Sequence, residues 1–248
     1  MITLKSPREI EKMRDAGRIV YEVLDLVRST VAPGITTREL DQLAFKETGK
    51  RNAKPAFKGY HSFPASLCCS LNNQVVHGIP NDRPLQDGDI LSIDFGVYYN
   101  GYYGDSAVTV SVGNVADSTR KLLKVTEESL LLGIESAVAG GRLYDISAAV
   151  QQYVEGNGFS IVRDYVGHGI GKNLHEEPQI PNFGKHGTGV TLKPGMVLAI
   201  EPMVNQFGHD VQVLEDGWTV ITCDGGLSAH FEHTVAITEH GPDILTRP

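Results

Sequence analysis

The chain has 248 residues and a formal net charge of −8, from 22 Lys and Arg against 30 Asp and Glu. Its length and its 41% hydrophobic residues are typical of a globular protein and exclude a disordered or fibrous chain. The acidic balance, without a Lys- or Arg-rich block, argues against nucleic-acid binding. Apolar runs such as Met196–Ile200 are far shorter than the roughly 18 residues of a membrane span. There is no hydrophobic signal region, and three cysteines, two of them adjacent, are typical of reduced thiols, so we expect a cytoplasmic protein.

Two helices are predicted before the first strands. Ser6–Glu9 is typical of a helix start, because it offers a Ser cap, Pro at the first helical position and Glu three residues after the cap. Apolar residues then recur at helical spacing to about Val31. A second helix is predicted from Thr36 to near Gly49, and strand-like stretches follow over residues 64–112.

The second half of the chain repeats this order of elements. A third helix is predicted from about Asp117 to the turn Val138–Gly141, which lies 107 positions after the corresponding turn Val31–Gly34. A shorter fourth helix, capped by Asp145, is predicted to stop at Gly156, and further strands follow.

The strands of the two halves also match each other. Leu85–Asp94 aligns with Leu192–Glu201 at the same offset of 107 residues, and each segment ends in an acid. Asp105–Val110 aligns with Glu232–Ile237 once about 20 inserted residues are allowed for. Val-rich strands resemble one another by composition alone, but an identical offset at two separate places favours two related halves.

Asp94 and Asp105 flank Asn100-Gly101, a strong signal for a two-residue hairpin turn. That turn sets Asp105 opposite Gly96, and Asp94 points to the same face because it is two residues from Gly96. The two acids are then diagonal neighbours, with Cα atoms about 7–8 Å apart. Such acids repel each other unless a proton or a cation lies between them. The alternative interpretation of the two acids is a solvated hairpin face on which they have no common role.

Glu201 and Glu232 are the counterparts of these acids in the second half, each within an apolar strand. If the halves pack about a pseudo-twofold axis, the four carboxylates meet at one centre, where a single buried charge would be costly. Two divalent cations would neutralise them. With one imidazole added, the donor set suits Mn, Fe or Co, and Zn stays open.

Several histidines are candidates for that imidazole. His168 lies among glycines that allow a ligand to approach closely, His175 follows it, and His77 precedes a Gly-Ile-Pro turn. His230 lies on the same strand face as Glu232 but is interpreted as structural. Each histidine taken alone is more often a surface or turn residue, and the spacing does not choose among them.

Taken together, these motifs resemble the type I methionine aminopeptidases of the short bacterial kind over nearly the whole chain. The motifs that carry the resemblance are Ile93–Gly96, Gly104–Asp105, Gly167–Gly171, His175–Pro178, Ile200–Pro202 and Phe231–Thr234. The resemblance implies the α+β pita-bread fold, in which two pseudo-symmetric helix–helix–strands halves surround a central antiparallel sheet. It also implies one catalytic domain of residues 1–248, with halves at about 6–112 and 117–238.

The resemblance further implies the roles of site residues. It implies a dinuclear metal site, with Asp105 and Glu232 as the bridging carboxylates, formed by Asp94, Asp105, His168, Glu201 and Glu232. It implies that His77 and His175 contact the peptide bond of the substrate, and that Glu201 transfers a proton as well as binding metal. The implied substrate pocket consists of Tyr60, His61, Phe63, Cys68 and Trp218, together with the two catalytic histidines. This chain departs from the usual family pattern at Leu174, often Phe, at Phe63, often Tyr, and at Phe57, which can be Cys.

The implied function is removal of the initiator methionine from nascent polypeptides that have a small second residue. The nucleophile would be a hydroxide that bridges two divalent ions. The alternatives are an Xaa-Pro aminopeptidase or dipeptidase and a non-catalytic pita-bread binding protein. The expected partner is a nascent peptide with a free N-terminal Met, and neither a nucleic acid nor a membrane. We expect a monomer, and a contact with the ribosome stays open.

Overall fold

The computed structural model describes residues 2–248. The α-helices in this range are α1 (Pro7–Thr30), α2 (Thr37–Lys50), α3 (Asp117–Glu135) and α4 (Leu143–Gly156). The first two begin as predicted, because the Ser6 and Thr36 side chains accept from the backbone amides of Glu9 and Glu39 and both capping boxes are complete. Of the helices described, none combines the length and the apolar character needed to cross a membrane.

Two helix boundaries differ from the prediction. Helix α3 ends at Glu135, and the predicted last turn is instead a loop whose Gly140 amide donates to the carbonyl of Leu192. Asp145 is not the cap residue of α4, because the helix starts at Leu143 and Asp145 lies in its first turn. Its carboxylate accepts from the backbone amide of Arg142 at 2.7 Å, so it stabilises the helix start from inside.

The strands and one short 3₁₀ helix make up the remaining regular structure. The 3₁₀ helix is Tyr60–Ser62. The strands are β1 (Lys54–Pro55), β2 (Cys68–Leu71), β3 (Gln74–Val76), β4 (Ile90–Tyr99), β5 (Tyr102–Ser111), β6 (Ser160–Ile161), β7 (Gly167–Gly169), β8 (Glu176–Ile180), β9 (Val197–Ile200), β10 (Met203–Asn205), β11 (Val211–Val213), β12 (Val220–Thr222), β13 (Ser228–His230), β14 (Glu232–Thr238) and β15 (Gly241–Ile244).

Most of these strands form one antiparallel sheet, in the order β1-β4-β5-β14-β9-β7-β8, with β2 also paired to β4 and β15 to β14. Two smaller sheets have the orders β13-β10-β6 and β11-β12-β3. The large sheet is continuous across the two halves because β5 pairs with β14, where Glu232 lies opposite Ala107. Asp105 and Glu232 therefore come from different halves and lie near each other at the centre of the sheet.

The same backbone contacts recur in the two halves. The Gly34 amide donates to the Leu85 carbonyl at 2.8 Å, and the Gly140 amide donates to the Leu192 carbonyl at 2.9 Å. Both glycines have positive φ, 96° and 86°, a conformation that glycine adopts without strain. Gly34 therefore corresponds to Gly140, not to Gly141, and the offset at this turn is one residue shorter than the sequence alignment predicts.

The helices cover one face of the large sheet. Ile93 and Phe95 of β4 are fully buried in the core that α1 and α2 form, and Val235 of β14 is buried in the core of α3 and α4. Because side chains alternate along a strand, Asp94 and Glu232 point to the opposite face. The acids thus meet on the side of the sheet away from the helices.

Candidate active site

The β4–β5 hairpin positions the first two acids as the sequence predicts. Asn100 and Gly101 have positive φ, 49° and 89°, and the register sets Asp105 directly opposite Gly96. A Cβ atom on Gly96 would lie 3.1 Å from Oδ1 of Asp105, so glycine leaves room for that carboxylate. Asp94 lies two residues before Gly96, on the same face.

The other two acids come from neighbouring strands. Glu201 directly follows β9, and Glu232 opens β14. The ligand atoms of Asp105, His168 and Glu232 all lie within 4.8 Å of one another, and so do those of Glu201, His230 and Glu232. Glu232 belongs to both groups and therefore links them.

These carboxylates are buried without compensating charge. Burial raises the pKa of Asp94 to about 7, with a further contribution from Glu201. Burial also holds the pKa values of Asp105, Glu201 and Glu232 well above their usual range, and for Asp105 and Glu232 the neighbouring acids add to the effect. One oxygen each of Asp94, Asp105 and Glu232 makes no hydrogen bond in the described chain. Within residues 2–248, none of the four acids forms an ion pair with Lys or Arg, so the donor set fits divalent cations.

His168 has the form that a metal ligand requires. Its Nδ1 lies 3.0 Å from the carbonyl oxygen of Gly169, which only accepts, so Nδ1 carries the proton. The lone pair of Nε2 then faces the acids, 3.5 Å from Oε1 of Glu201. Burial, and then repulsion by His175, lowers the pKa of His168 to about 3, which keeps the ring neutral.

His77 and His175 lie beside the acids. Nδ1 of His175 is 2.7 Å from the hydroxyl of Tyr60, and its ring centroid is 4.3 Å from that of His168. Burial lowers the pKa of His175, and it lowers the pKa of His77 to about 4. Both rings are therefore neutral at pH 7, with an N–H to donate. The ring of His77 also lies edge-on to that of Trp218, with centroids 6.2 Å apart.

His230 is predicted from the sequence to be structural, but it lies next to Glu201. Its Nε2 is 3.6 Å from Oε2 of Glu201, and its side chain is buried. The hydroxyl of Thr109 accepts from the His230 amide and donates to its carbonyl, both at 2.8 Å, which fixes the backbone there. The spacing of two residues between His230 and Glu232 on one strand face was the signal that could have identified it.

All the residues predicted for the site line one cavity of about 280 Å³. The acids and His168 form one part of its wall, and the remaining lining residues are Phe57, Tyr60, His61, Phe63, Cys68, His77, Leu174, His175 and Trp218. The apolar part is rigid where Phe63 and Trp218 pack edge to face, with centroids 5.1 Å apart. Phe57 and Leu174, noted in the sequence only as departures, belong to this wall.

The chain belongs to metallopeptidase family M24, whose model matches residues 11–239. It is 57% identical to the methionine aminopeptidase of Clostridium perfringens over 246 residues, which cover 99% of each chain. It is equally identical to methionine aminopeptidase 1 of Bacillus subtilis over 247 residues, covering 100% of both. The predicted resemblance and the class of metallopeptidase hydrolase are thereby confirmed.

Solved structures confirm the pita-bread fold. The crystal structure of methionine aminopeptidase from Rickettsia prowazekii superposes with a TM-score of 0.98 at 44% identity, covering 100% of both chains. The prolidase from Pyrococcus furiosus has a TM-score of 0.81 at 24% identity, and the match covers 99% of this chain and 65% of that one. This second likeness concerns the fold alone. Membership of a metallopeptidase family, together with the carboxylate–histidine cluster, indicates a divalent metal site.

Proposed function

We propose that this protein is an aminopeptidase that removes the N-terminal methionine of a polypeptide whose second residue is small. One observation carries the proposal: a single cavity of about 280 Å³ joins a cluster of four acids and a neutral histidine to an apolar wall. The methionine aminopeptidases of Clostridium perfringens and Bacillus subtilis, each 57% identical to this chain, support the same assignment.

The metal-binding residues in this proposal are Asp94, Asp105, His168, Glu201 and Glu232. They would hold two divalent ions, of Fe, Mn, Co or Zn, with Asp105 and Glu232 contacting both. When bound, such ions lower the pKa of a coordinated water and so supply a nucleophile at neutral pH. The raised pKa values of the four acids support this stoichiometry, because a charge of −4 in a buried site requires compensation.

Glu201 has a second role in the proposal, as the group that moves the proton. Its carboxylate takes the proton of the attacking water and gives it to the leaving amine, both within the same cavity. In the proposal the hydroxyl of Tyr60 donates to Nδ1 of His175, which leaves the proton on Nε2 for donation to the scissile carbonyl oxygen. His77, neutral for the same reason of burial, orients the peptide bond from the opposite wall.

The apolar wall determines the first residue of the substrate. Phe63, Cys68 and Trp218 suit an unbranched thioether through dispersion and sulfur–aromatic contacts. A charged side chain would lose its hydration there without compensation. The second residue of the substrate passes the turn at His77 and Gly78. This turn is held against β2, because the Cys69 amide donates to the Gly78 carbonyl at 2.8 Å and the Gly78 amide donates to the Ser70 hydroxyl at 3.1 Å, and a turn held in this way favours small second residues.

We further propose that the whole chain acts as one catalytic domain and as a monomer, in the cytoplasm where its substrate is synthesised. The large sheet that runs across both halves within residues 2–248 supports a single domain. A contact with the ribosome would bring the enzyme to that substrate, and co-sedimentation with ribosomes tests it.

The decisive assay compares Met-Gly-Met-Met with an Xaa-Pro peptide, before and after chelation. We expect cleavage of the first peptide only, and only with metal present. The variant Asp105→Asn should lose metal and activity, whereas Asp117→Asn, at an exposed helix start, should keep both. Preferred cleavage of the Xaa-Pro peptide would favour a prolidase-like enzyme, and binding without cleavage of either peptide would favour a non-catalytic protein.

A further inference from the structure

A buried ion pair joins the N-terminal segment to the loop that carries His175. Nζ of Lys5 lies 2.7 Å from Oε2 of Glu176 and donates to the Thr3 carbonyl at 3.2 Å. The side chains of Lys5 and Glu176 are only 4% and 13% exposed. The two partners are 171 residues apart in the chain, so the pair connects the start of the first half to the second.

Local geometry fixes both partners of the pair. The second carboxylate oxygen of Glu176 accepts from the Asn173 amide at 3.1 Å, which closes the loop between them. The Lys5 amide donates to the Gly195 carbonyl at 2.7 Å, so its main chain is anchored as well. A Cβ atom on Gly171 would lie 2.6 Å from Cε of Lys5 and 2.7 Å from Oε1 of Glu176. A side chain at this position would displace the ends of both partners from their present contact.

His175 directly precedes Glu176, and its ring has two contacts of its own. The hydroxyl of Tyr60 lies 2.7 Å from its Nδ1, and the ring packs against that of His168. The position of His175 is therefore set by three contacts: the Tyr60 hydroxyl, the His168 ring and, through the adjacent Glu176, the ion pair with Lys5.

We propose that Lys5 is a positioning residue for the hydrolysis: through Glu176 it holds His175 at the distance from which it donates to the substrate carbonyl. This inference rests on the proposed function. A buried ion pair contributes little net stability compared with apolar side chains, whereas its geometry is specific. The pair is thus suited to fixing one conformation of the loop.

The test uses two variants that disturb the pair differently. Lys5→Met leaves the Glu176 carboxylate buried without a partner, and Gly171→Ala separates the pair while both charges stay in place. The control is Arg14→Met, which breaks a more exposed ion pair, that of Arg14 with Asp243 at 2.6 Å between α1 and β15. Each variant is made in the wild-type and in the His175→Ala background, with steady-state kinetics on Met-Gly-Met-Met and thermal melting.

In the wild-type background, Lys5→Met and Gly171→Ala should lower kcat about 10- to 100-fold, the loss that a displacement of about 1 Å commonly causes. KM should change less than about threefold, since the pocket is not altered. In the His175→Ala background, the same changes should cost less than about twofold in kcat, because the residue through which they act is absent. Arg14→Met should lower the melting temperature and leave kcat unchanged.

Equal losses of kcat in both backgrounds, or an unchanged kcat in folded Gly171→Ala, would overturn the proposal. If Lys5→Met does not fold, Gly171→Ala decides alone, since it removes neither of the two charged groups. Failure of the proposed function itself is a separate result, because wild-type protein would then not cleave the peptide at all.

Discussion

Replacing Asp94 with Asn should stabilise the protein without metal and destabilise it with metal. In the metal-free chain, burial moves the pKa of Asp94 from 3.8 to about 7, a change of about three units. At 1.36 kcal/mol per unit, the ionised carboxylate costs the folded state on the order of 4 kcal/mol at pH 8. Removing that charge stabilises the variant, but a buried amide without good hydrogen-bond partners costs about 1–2 kcal/mol and so reduces the stabilisation. The variant should therefore be about 2–3 kcal/mol more stable, or roughly 5–10 °C in melting temperature for a chain of this size.

The sign of this effect depends on pH. The folded pKa of Asp94 lies above the unfolded value, so between about pH 4 and pH 7 the folded state holds a proton that the unfolded state has lost. Wild-type stability consequently falls as the pH rises through this range, so Asp94→Asn should be about 1–2 kcal/mol less stable than wild type at pH 4, the cost of the buried amide, and about 2–3 kcal/mol more stable at pH 8. Comparing variant and wild type at each pH cancels the contributions of titratable groups that do not interact with Asp94; His230 does interact with it and is excluded from that cancellation.

Metal reverses the order of stability, because bound cations favour the ionised acid and Asn is a weaker ligand. Scanning calorimetry of both proteins in chelator and in excess Mn²⁺, at pH 4, 6 and 8, measures all these differences. Glu176→Gln, at an acid outside the cluster, serves as the control and should not show the reversal. The reasoning is refuted if Asp94→Asn melts no higher than wild type in chelator at pH 8, or if metal stabilises both proteins equally.

The other predictions concern the bridging acids, one histidine and the buried ion pair. Asp105→Ala and Glu232→Ala should each lower metal affinity and turnover together, as measured by titration calorimetry and peptide assay; unchanged affinity would remove them from the metal site. His77→Ala should lower kcat about 10²–10³-fold with little change in KM, and an unchanged kcat would exclude it from the mechanism. Burial acts to raise the pKa of Glu176, but its contact with Lys5 and backbone amides lowers it overall, so its stabilisation is present above about pH 4.5 and is lost as the pH falls through the folded pKa. The melting difference between wild type and Lys5→Met should accordingly shrink from pH 7 to pH 3, and a constant difference would contradict this.

Features that depend on neighbouring residues could be predicted from the sequence. The caps at Ser6 and Thr36, and the hairpin register that sets Asp105 opposite Gly96, are formed as expected. A capping box and a two-residue turn each involve a few consecutive residues, whose conformations local hydrogen bonds and allowed φ values decide. The motifs that carry the resemblance to the family were likewise readable, since they are short and ordered along the chain.

Local sequence patterns gave wrong helix boundaries where contacts between residues distant in the sequence compete with them. Asp is a residue type that is common at the N-cap of a helix, yet α4 starts two residues before Asp145, at Leu143. The loop after α3 gives up its last helical turn because the Gly140 amide bonds to Leu192, more than fifty residues away. At the start of α4 the Leu143 amide likewise donates to the Val190 carbonyl at 2.9 Å, so in both cases a contact with a distant segment accompanies the helix boundary.

The composition of the active site was decided by the tertiary structure. Pairing of β5 with β14 brings Asp105 and Glu232 together across the two halves. The spacing of residues along the sequence does not predict this distance. The same packing distinguishes the histidines: the Gly169 carbonyl turns Nε2 of His168 toward the acids, and His230 is placed beside Glu201. The sequence determined which donors are available, because ligand chemistry belongs to residue types. Only the folded sheet determined which of them converge, because that depends on strand order and burial.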